Sequence, residues 1–507
     1  MMSRMKTLVC LAVASALQVF SGTSNAQELG EVPNRMLLDV VRKAVATSPD
    51  VQARWHGYRA ATAQQDVARG GFLPRLDLNA GVGHKWVRNP GSKEDNKDAG
   101  RDKSDNWNYG GVGLELNQMI WDGFATSSEV KRMGFTRLMR YYELLDATET
   151  ASLEVVRAYS DVQRQRELVD HAKSNYVAHK QIYDRLNDRT NAGVSRRVDL
   201  DQAAGRLALA ESNLLTELSN LHDVSVRYQR LVGEVPPDTL SPLADNFSNV
   251  QLPENVVAAL RVAYVNSPAF NAAVENVRAS YANRDLARSN YHPTLNLHAS
   301  TGVQRNANNT DPKDGGYKGN TQESLVELQF NLNLFRGGSD VARTRQAGEE
   351  IGQAKDLREK ACRDLRQNLS IAFQDIRSLT EQIGYLQQHQ LSTEKAREAY
   401  HRQFDIGQRT LLDLLDSENE YFNSQRAYTA ARYNLVVAQA RTLANMGQLL
   451  HTLGVVREDI PTAKDAGQNR DTVNPEDMCP ADAPVQVEVD KGALLSVSGR
   501  SGGRPGR

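Results

Sequence analysis

The chain has 507 residues, with 61 basic and 62 acidic side chains, 40% hydrophobic residues and only 6% aromatic ones. So even a charge balance excludes a protein that grips nucleic acid through a basic excess. A mean hydropathy of −0.55, with no run of roughly 18–20 apolar residues past the amino terminus, excludes a helical membrane bundle, so any membrane crossing must be made of strands.

The first 26 residues read as an export signal. Arg4 and Lys6 give a positive start, Thr7 to Phe20 an apolar run too short to span, and Ser24-Asn25-Ala26 the small residues of a cleavage site. Cys10 lies inside that run and leaves with it. The chain has three cysteines, so those that stay are too few for a disulfide framework or a zinc cluster.

Beyond the signal the sequence is duplicated. None of the 16 prolines falls between Pro90 and Pro236 or between Pro312 and Pro461, which leaves two long stretches where helices run uninterrupted. Ser48-Pro49 recurs as Ser267-Pro268, and the segment from Asp66 to Leu78 recurs from Asp285 to Leu297. Trp121-Asp122-Gly123 matches Phe335-Arg336-Gly337, and Gly193 with Asp199 matches Gly407 with Asp413 at a common spacing. A first repeat at 27–233 and a second at 254–457 each read helix, strand, strand, long helix, helix. The proline-rich stretch 234–253 links them.

The strand segments alternate as a half-wet sheet should. Leu76, Leu78, Ala80, Val82 and Trp86 are interleaved with Asp77, Asn79, Gly81, Gly83 and Lys85, and Val112, Leu114, Leu116 and Ile120 with Gly111, Gly113, Glu115 and Asn117. The second repeat does the same with Leu295, Leu297 and Val303, then with Val326, Leu328, Phe330, Leu332 and Leu334. Polar loops at 88–106 and 305–322 suit the outer face of a membrane barrel, and Trp86, Trp107 and Trp121 suit its interfaces. A soluble sandwich fits the local pattern equally. Four strands cannot close a barrel, and an open edge in hydrocarbon costs several kcal/mol for each unpaired group. Sister copies must complete it, and two or three copies satisfy that condition alike.

The long helices carry heptads. Val155, Ala158, Val162, Gln165, Val169, Ala172, Tyr176, His179, Tyr183 and Leu186 form one seam, and Leu365, Leu369, Ala372, Ile376, Leu379, Ile383 and Leu386 the other. Cys362 opens the second seam as a packing residue, and His179 reads as a seam residue rather than a metal ligand. Helices over 123–189 and 337–406 would each be about 100 Å long, a length that suits crossing a space. Residues 458–507 lose all periodicity and read as a disordered tail that contains Cys479. The chain has no His-Glu-x-x-His, Gly-x-Ser-x-Gly, phosphate-loop or Cys-x-x-Cys motif, so it reads as no enzyme, with no cofactor and no metal.

The run Phe404-Asp405-Ile406-Gly407-Gln408-Arg409-Thr410-Leu411-Leu412-Asp413-Leu414-Leu415-Asp416-Ser417-Glu418, followed by Tyr421 and Ala427 to Tyr433, resembles the second helical turn of the TolC family of outer-membrane export channels. The resemblance covers about residues 35–457. It implies a mainly α fold with a membrane β-barrel part: a homotrimer whose twelve-stranded barrel sits in outer-membrane lipid and continues into a helical barrel across the periplasm. The implied partners are a periplasmic adaptor and an inner-membrane transporter of the ABC type. The run from Gly407 to Asp416 is most similar to members serving type I protein secretion, with a surface adhesin as the suggested cargo. Small-molecule efflux is the alternative, and a secreted coiled-coil scaffold the alternative of another class.

The resemblance also implies a gate. Asp413 and Asp416, three residues apart on one helix face, match aspartates that ring the family's periplasmic entrance, where six carboxylates would create a strongly negative opening. Arg409 and Asp199 match an arginine and an acidic partner that hold it closed. Phe404 stands where the family has a tyrosine, so one hydroxyl link is absent. The bland reading of the same residues is a capping box between Thr410 and Asp413, a merely solvated Asp416 and an ordinary surface ion pair.

Overall fold

The computed structural model describes residues 35–89, 103–243, 251–305, 320–455, 459–468, 479–482 and 492. The expected signal at 1–26 and most of the two expected polar loops lie outside these residues. In chain order the first repeat contains α1 (Arg35–Thr47), α2 (Pro49–Gly70), β1 (Arg75–Asn89), β2 (Lys103–Trp121), α3 (Ala125–Asn191) and α4 (Arg197–Val232). The second contains α5 (Val256–Asn266), α6 (Pro268–Ser289), β3 (Thr294–Arg305), β4 (Asn320–Asn331), α7 (Ser339–Asp405), α8 (Leu411–Asn445) and the short α9 (Leu449–Thr452). Each repeat opens with two helices where one was expected. The reason is local: a residue before proline avoids the α region, so Ser48 and Ser267 turn extended and Pro49 and Pro268 start new helices.

The strands form one antiparallel sheet in the order β1-β2-β3-β4. Its register aligns the apolar positions across the sheet, with Leu78 opposite Leu114, Val112 opposite Val303 and Leu297 opposite Leu328. That face is open on one chain: Leu78, Val82, Val326 and Leu328 are all exposed. Polar residues meet on the other face, where Asn79 donates to Glu115 and His298 bonds Asn117. β1 and β4 are left as free edges.

α3 and α7 have 67 residues each, close to the lengths read from the proline map. α3 lies between α4 and α8 and buries residues on two faces. Its expected seam is inside, with Val155, Ala158, Val162, Gln165, Val169, Ala172, His179 and Leu186 buried and Tyr176 and Tyr183 half-buried. α7 packs chiefly along α8 below the sheet, so its seam is buried from Cys362 to Ala372 and half-buried from Ile376 to Leu386. The main core joins α1, α3, α5, α7 and the ends of α4 and α8.

Gly123 shows how tightly the sheet is joined to the helices. It has φ +67°, and an added Cβ would fall 2.4 Å from His292 Cβ and 2.9 Å from Ser289 O. Its counterpart Gly337 has φ +62° and open space around it. Gly123→Ala should cost about 2–4 kcal/mol and Gly337→Ala only about 1 kcal/mol, because the first adds a backbone clash to the left-handed penalty. Thermal unfolding of the two variants side by side checks the asymmetry.

Two expectations about the end of the chain are corrected. The composition of 458–507 predicts disorder, yet 459–468 and 479–482 are packed. The Tyr141 hydroxyl donates to Pro461 O at 3.0 Å, Arg137 to Ala466 O at 2.9 Å and the Tyr264 hydroxyl to Pro480 O at 2.9 Å. Cys362 sits on the packed stripe as expected, but it is also disulfide-bonded to Cys479, 117 residues further on, with Cα atoms 6.0 Å apart. Irregular backbone makes these contacts, so no periodicity announces them. In the linker, Leu243 is fully buried and Gln163 of α3 bonds both Leu243 N and Ser241 O.

Candidate functional site

The helices of each repeat reverse direction at the end furthest from the sheet. α3 passes to α4 through Gly193, φ +75°, and α7 passes to α8 through Gly407, φ +76°. After each glycine comes an extended residue, Arg196 or Thr410, and the next helix begins. Asp199 and Asp413 are each three residues past those N-caps, which is the physical content of their shared spacing: acids there face the positive end of the helix dipole.

A small core holds the two turns together. Ile182, Leu186, Ala203, Leu411, Leu414 and Leu415 are buried, with Tyr183, Leu200 and Phe404 packed against them. Phe404 therefore serves the tip by apolar contact with this shared core, which needs no hydroxyl.

Asp413 forms the capping box. The Thr410 N–H and hydroxyl donate to its Oδ2 at 3.2 and 2.9 Å, and Asp413 N donates back to Thr410 Oγ1. These bonds, from the Thr410 hydroxyl above all, hold its carboxyl below the usual range. Arg409 Nη1 lies 3.8 Å from Asp413, its Nε donates to Gln403, and its guanidinium covers the Tyr400 ring at 4.7 Å. Within one chain Arg409 thus stays on its own turn. Among the described residues no bond joins it to Asp199, whose backbone N–H goes to Arg196 O.

Asp416 is not simply solvated. Arg206, two turns past Asp199 on α4, donates to it at 2.7 Å. Arg185 of α3 stands 3.6 Å from Asp405. Neither arginine was singled out in the sequence, although the heptad step from Asp199 to Arg206 puts both on one helix face. Two residues further along α8, Glu418 is buried and accepts from Arg397 at 2.9 Å and His401 at 2.5 Å. Burial pushes the Glu418 carboxyl up, but those bonds outweigh it and hold the group below the usual range. Among the described residues no group of three or more His, Cys, Asp or Glu could hold a metal ion.

A tip built from two mirrored turns, an open amphipathic sheet and paired helices of 67 residues match known proteins along nearly the whole chain. TolC of Escherichia coli K12 is 24% identical over 504 residues, covering 96% of this chain and 94% of its own. The alkaline protease secretion protein AprF of Pseudomonas aeruginosa is 24% identical over 467 residues, covering 90% and 93%. The solved structure of the Campylobacter jejuni CmeC outer membrane channel superposes with a TM-score of 0.69 at 16% identity, covering 91% of this chain and 96% of that one. The fold is thus that of outer-membrane channels, and the relatives place the chain among channels rather than enzymes or scaffolds. The model of the family described as outer membrane efflux protein matches residues 40–234 and 259–448, once in each repeat, and the chain belongs to that family.

Proposed function

We propose that three copies of this chain form the outer-membrane channel of a tripartite type I secretion system. It passes a secreted protein from an inner-membrane ABC transporter and its adaptor to the exterior. The open sheet carries the reading. A sheet of four strands with one continuous apolar face and two free edges is stable in lipid only when copies close it, and three copies give twelve strands. The long helices then continue the bore, and the tip turns form its inner entrance, with Asp413 and Asp416 as gate carboxylates. Any tie of Arg409 to Asp199 at this entrance runs between neighbouring copies.

The relation to a protease secretion protein supports protein as cargo. The family's description as efflux protein favours small molecules as the second reading. Reconstitution in a planar bilayer tests the channel: uniform conductance steps from a trimeric species support it, and a monomeric, silent preparation overturns it. Deleting the chain from its host separates the cargoes. Loss of one or more proteins from the culture medium supports secretion, whereas hypersensitivity to toxic small molecules with an unchanged set of secreted proteins supports efflux.

A further inference from the structure

The two candidate gate carboxylates are not equivalent. Asp413 is held by its own helix cap, with Arg409 3.8 Å away. Asp416 instead reaches across to the first repeat and is met by Arg206 at 2.7 Å. Arg206 is placed for this by packing. Ala203, one turn earlier on α4, is buried against the α8 start formed by Leu411, Leu414 and Leu415, so the Arg206 side chain projects over the Asp416 turn. The Arg206 side chain is 32% exposed and that of Asp416 55%.

We infer that Arg206 is a charge-selectivity residue of the channel entrance: it is the built-in counter-ion of Asp416, and it ties α4 to α8. The inference rests on the gate reading above. Six carboxylates at a threefold opening would create a strong cation-attracting field. Each of them here carries an arginine of its own chain, so the field that a permeating ion meets is much weaker than the aspartates alone would give. The guanidinium is fixed at one oxygen, Oδ1, and cannot lose its proton, so this compensation persists across the physiological pH range.

Reversal potentials of the full-length channel in a potassium chloride gradient test it. Arg206→Gln removes three positive charges from the opening and should raise the potassium-to-chloride permeability ratio about three- to tenfold. Arg206→Met, which keeps the apolar stem, should do the same, and Arg206→Lys should stay within about twofold of the parent. Asp416→Asn should lower the ratio and, combined with Arg206→Gln, should return it toward the parent value. An unchanged ratio in Arg206→Gln and Arg206→Met, with a lowered ratio in Asp416→Asn, overturns the role of Arg206 and leaves the gate standing. An unchanged ratio in all of these and in Asp413→Asn overturns the gate reading itself.

Discussion

Replacing Cys362 and Cys479 together by serine will free the end of the chain from both repeats. The segment after α9 touches the first repeat through Tyr141 and Arg137 and the second through Tyr264 and Arg366. Only the disulfide among these contacts is covalent, and both sulfurs are buried in the main core with about 1% exposure. The bond closes a loop of 117 residues, for which chain entropy gives about 4–5 kcal/mol, and losses on removing native disulfides run about 2–5 kcal/mol. Much of that loss falls on the strap itself, because α3 and α7 keep their own packing. Tryptic cleavage after the exposed Lys464 should accelerate about a hundredfold in the double serine variant, since each 1.4 kcal/mol is a factor of about ten. Dithiothreitol should bring the parent to the same rate. Equal rates in the parent, the reduced parent and the variant would mean that the two sulfurs are not joined. The bond also agrees with an exported chain, because disulfides persist where the compartment is oxidising.

What the sequence made legible follows from which interactions have a period. The alternation from Leu76 to Trp86 and the stripe from Val155 to Leu186 reflect backbone geometry repeated many times, so one chain suffices to read them. The breaks at Pro49 and Pro268 are equally local, but in the sequence they stand out as markers of duplication rather than as helix starts. The tip divides the same way. Thr410 and Asp413 are neighbours on one turn, and their capping box was legible as the bland reading of those residues. Arg206 and Asp416 come from different repeats and meet because α4 and α8 converge at the tip, where Ala203 packs with Leu411, Leu414 and Leu415, and nothing in either segment names the other. In the sequence Phe404 shows only the absence of a hydroxyl, whereas the small core it packs against draws residues from both hairpins. Cys362 and Cys479 are the extreme case, because an irregular strap has no pattern from which a partner could be inferred.

Glu149→Gln will stabilise the protein above neutral pH and change little at pH 5. Glu149 lies on α3, is 7% exposed, and accepts a hydrogen bond from Leu450 N of α9 at 3.4 Å. Burial pushes its carboxyl up to about 8, against bonds from Leu450 and Leu449 that pull it down, with Asp146 adding to the rise. The unfolded chain gives the same group an ordinary value near 4.5, so between those limits the folded state holds a proton that the unfolded state has lost. Stability from this group is therefore greatest at acid pH and falls as pH rises through the interval. Glutamine keeps an oxygen for the Leu450 N–H and has nothing to ionise. At pH 7.5 the gain should be about 1–3 kcal/mol, less than the full linkage because the site can relax and admit water. Unfolding midpoints measured from pH 5 to pH 8 should diverge steadily, with the parent falling away from the variant. Parallel curves would mean that Glu149 is already ionised in the fold, and that the α3–α9 contact is made by a charge in contact with water rather than by a buried neutral acid.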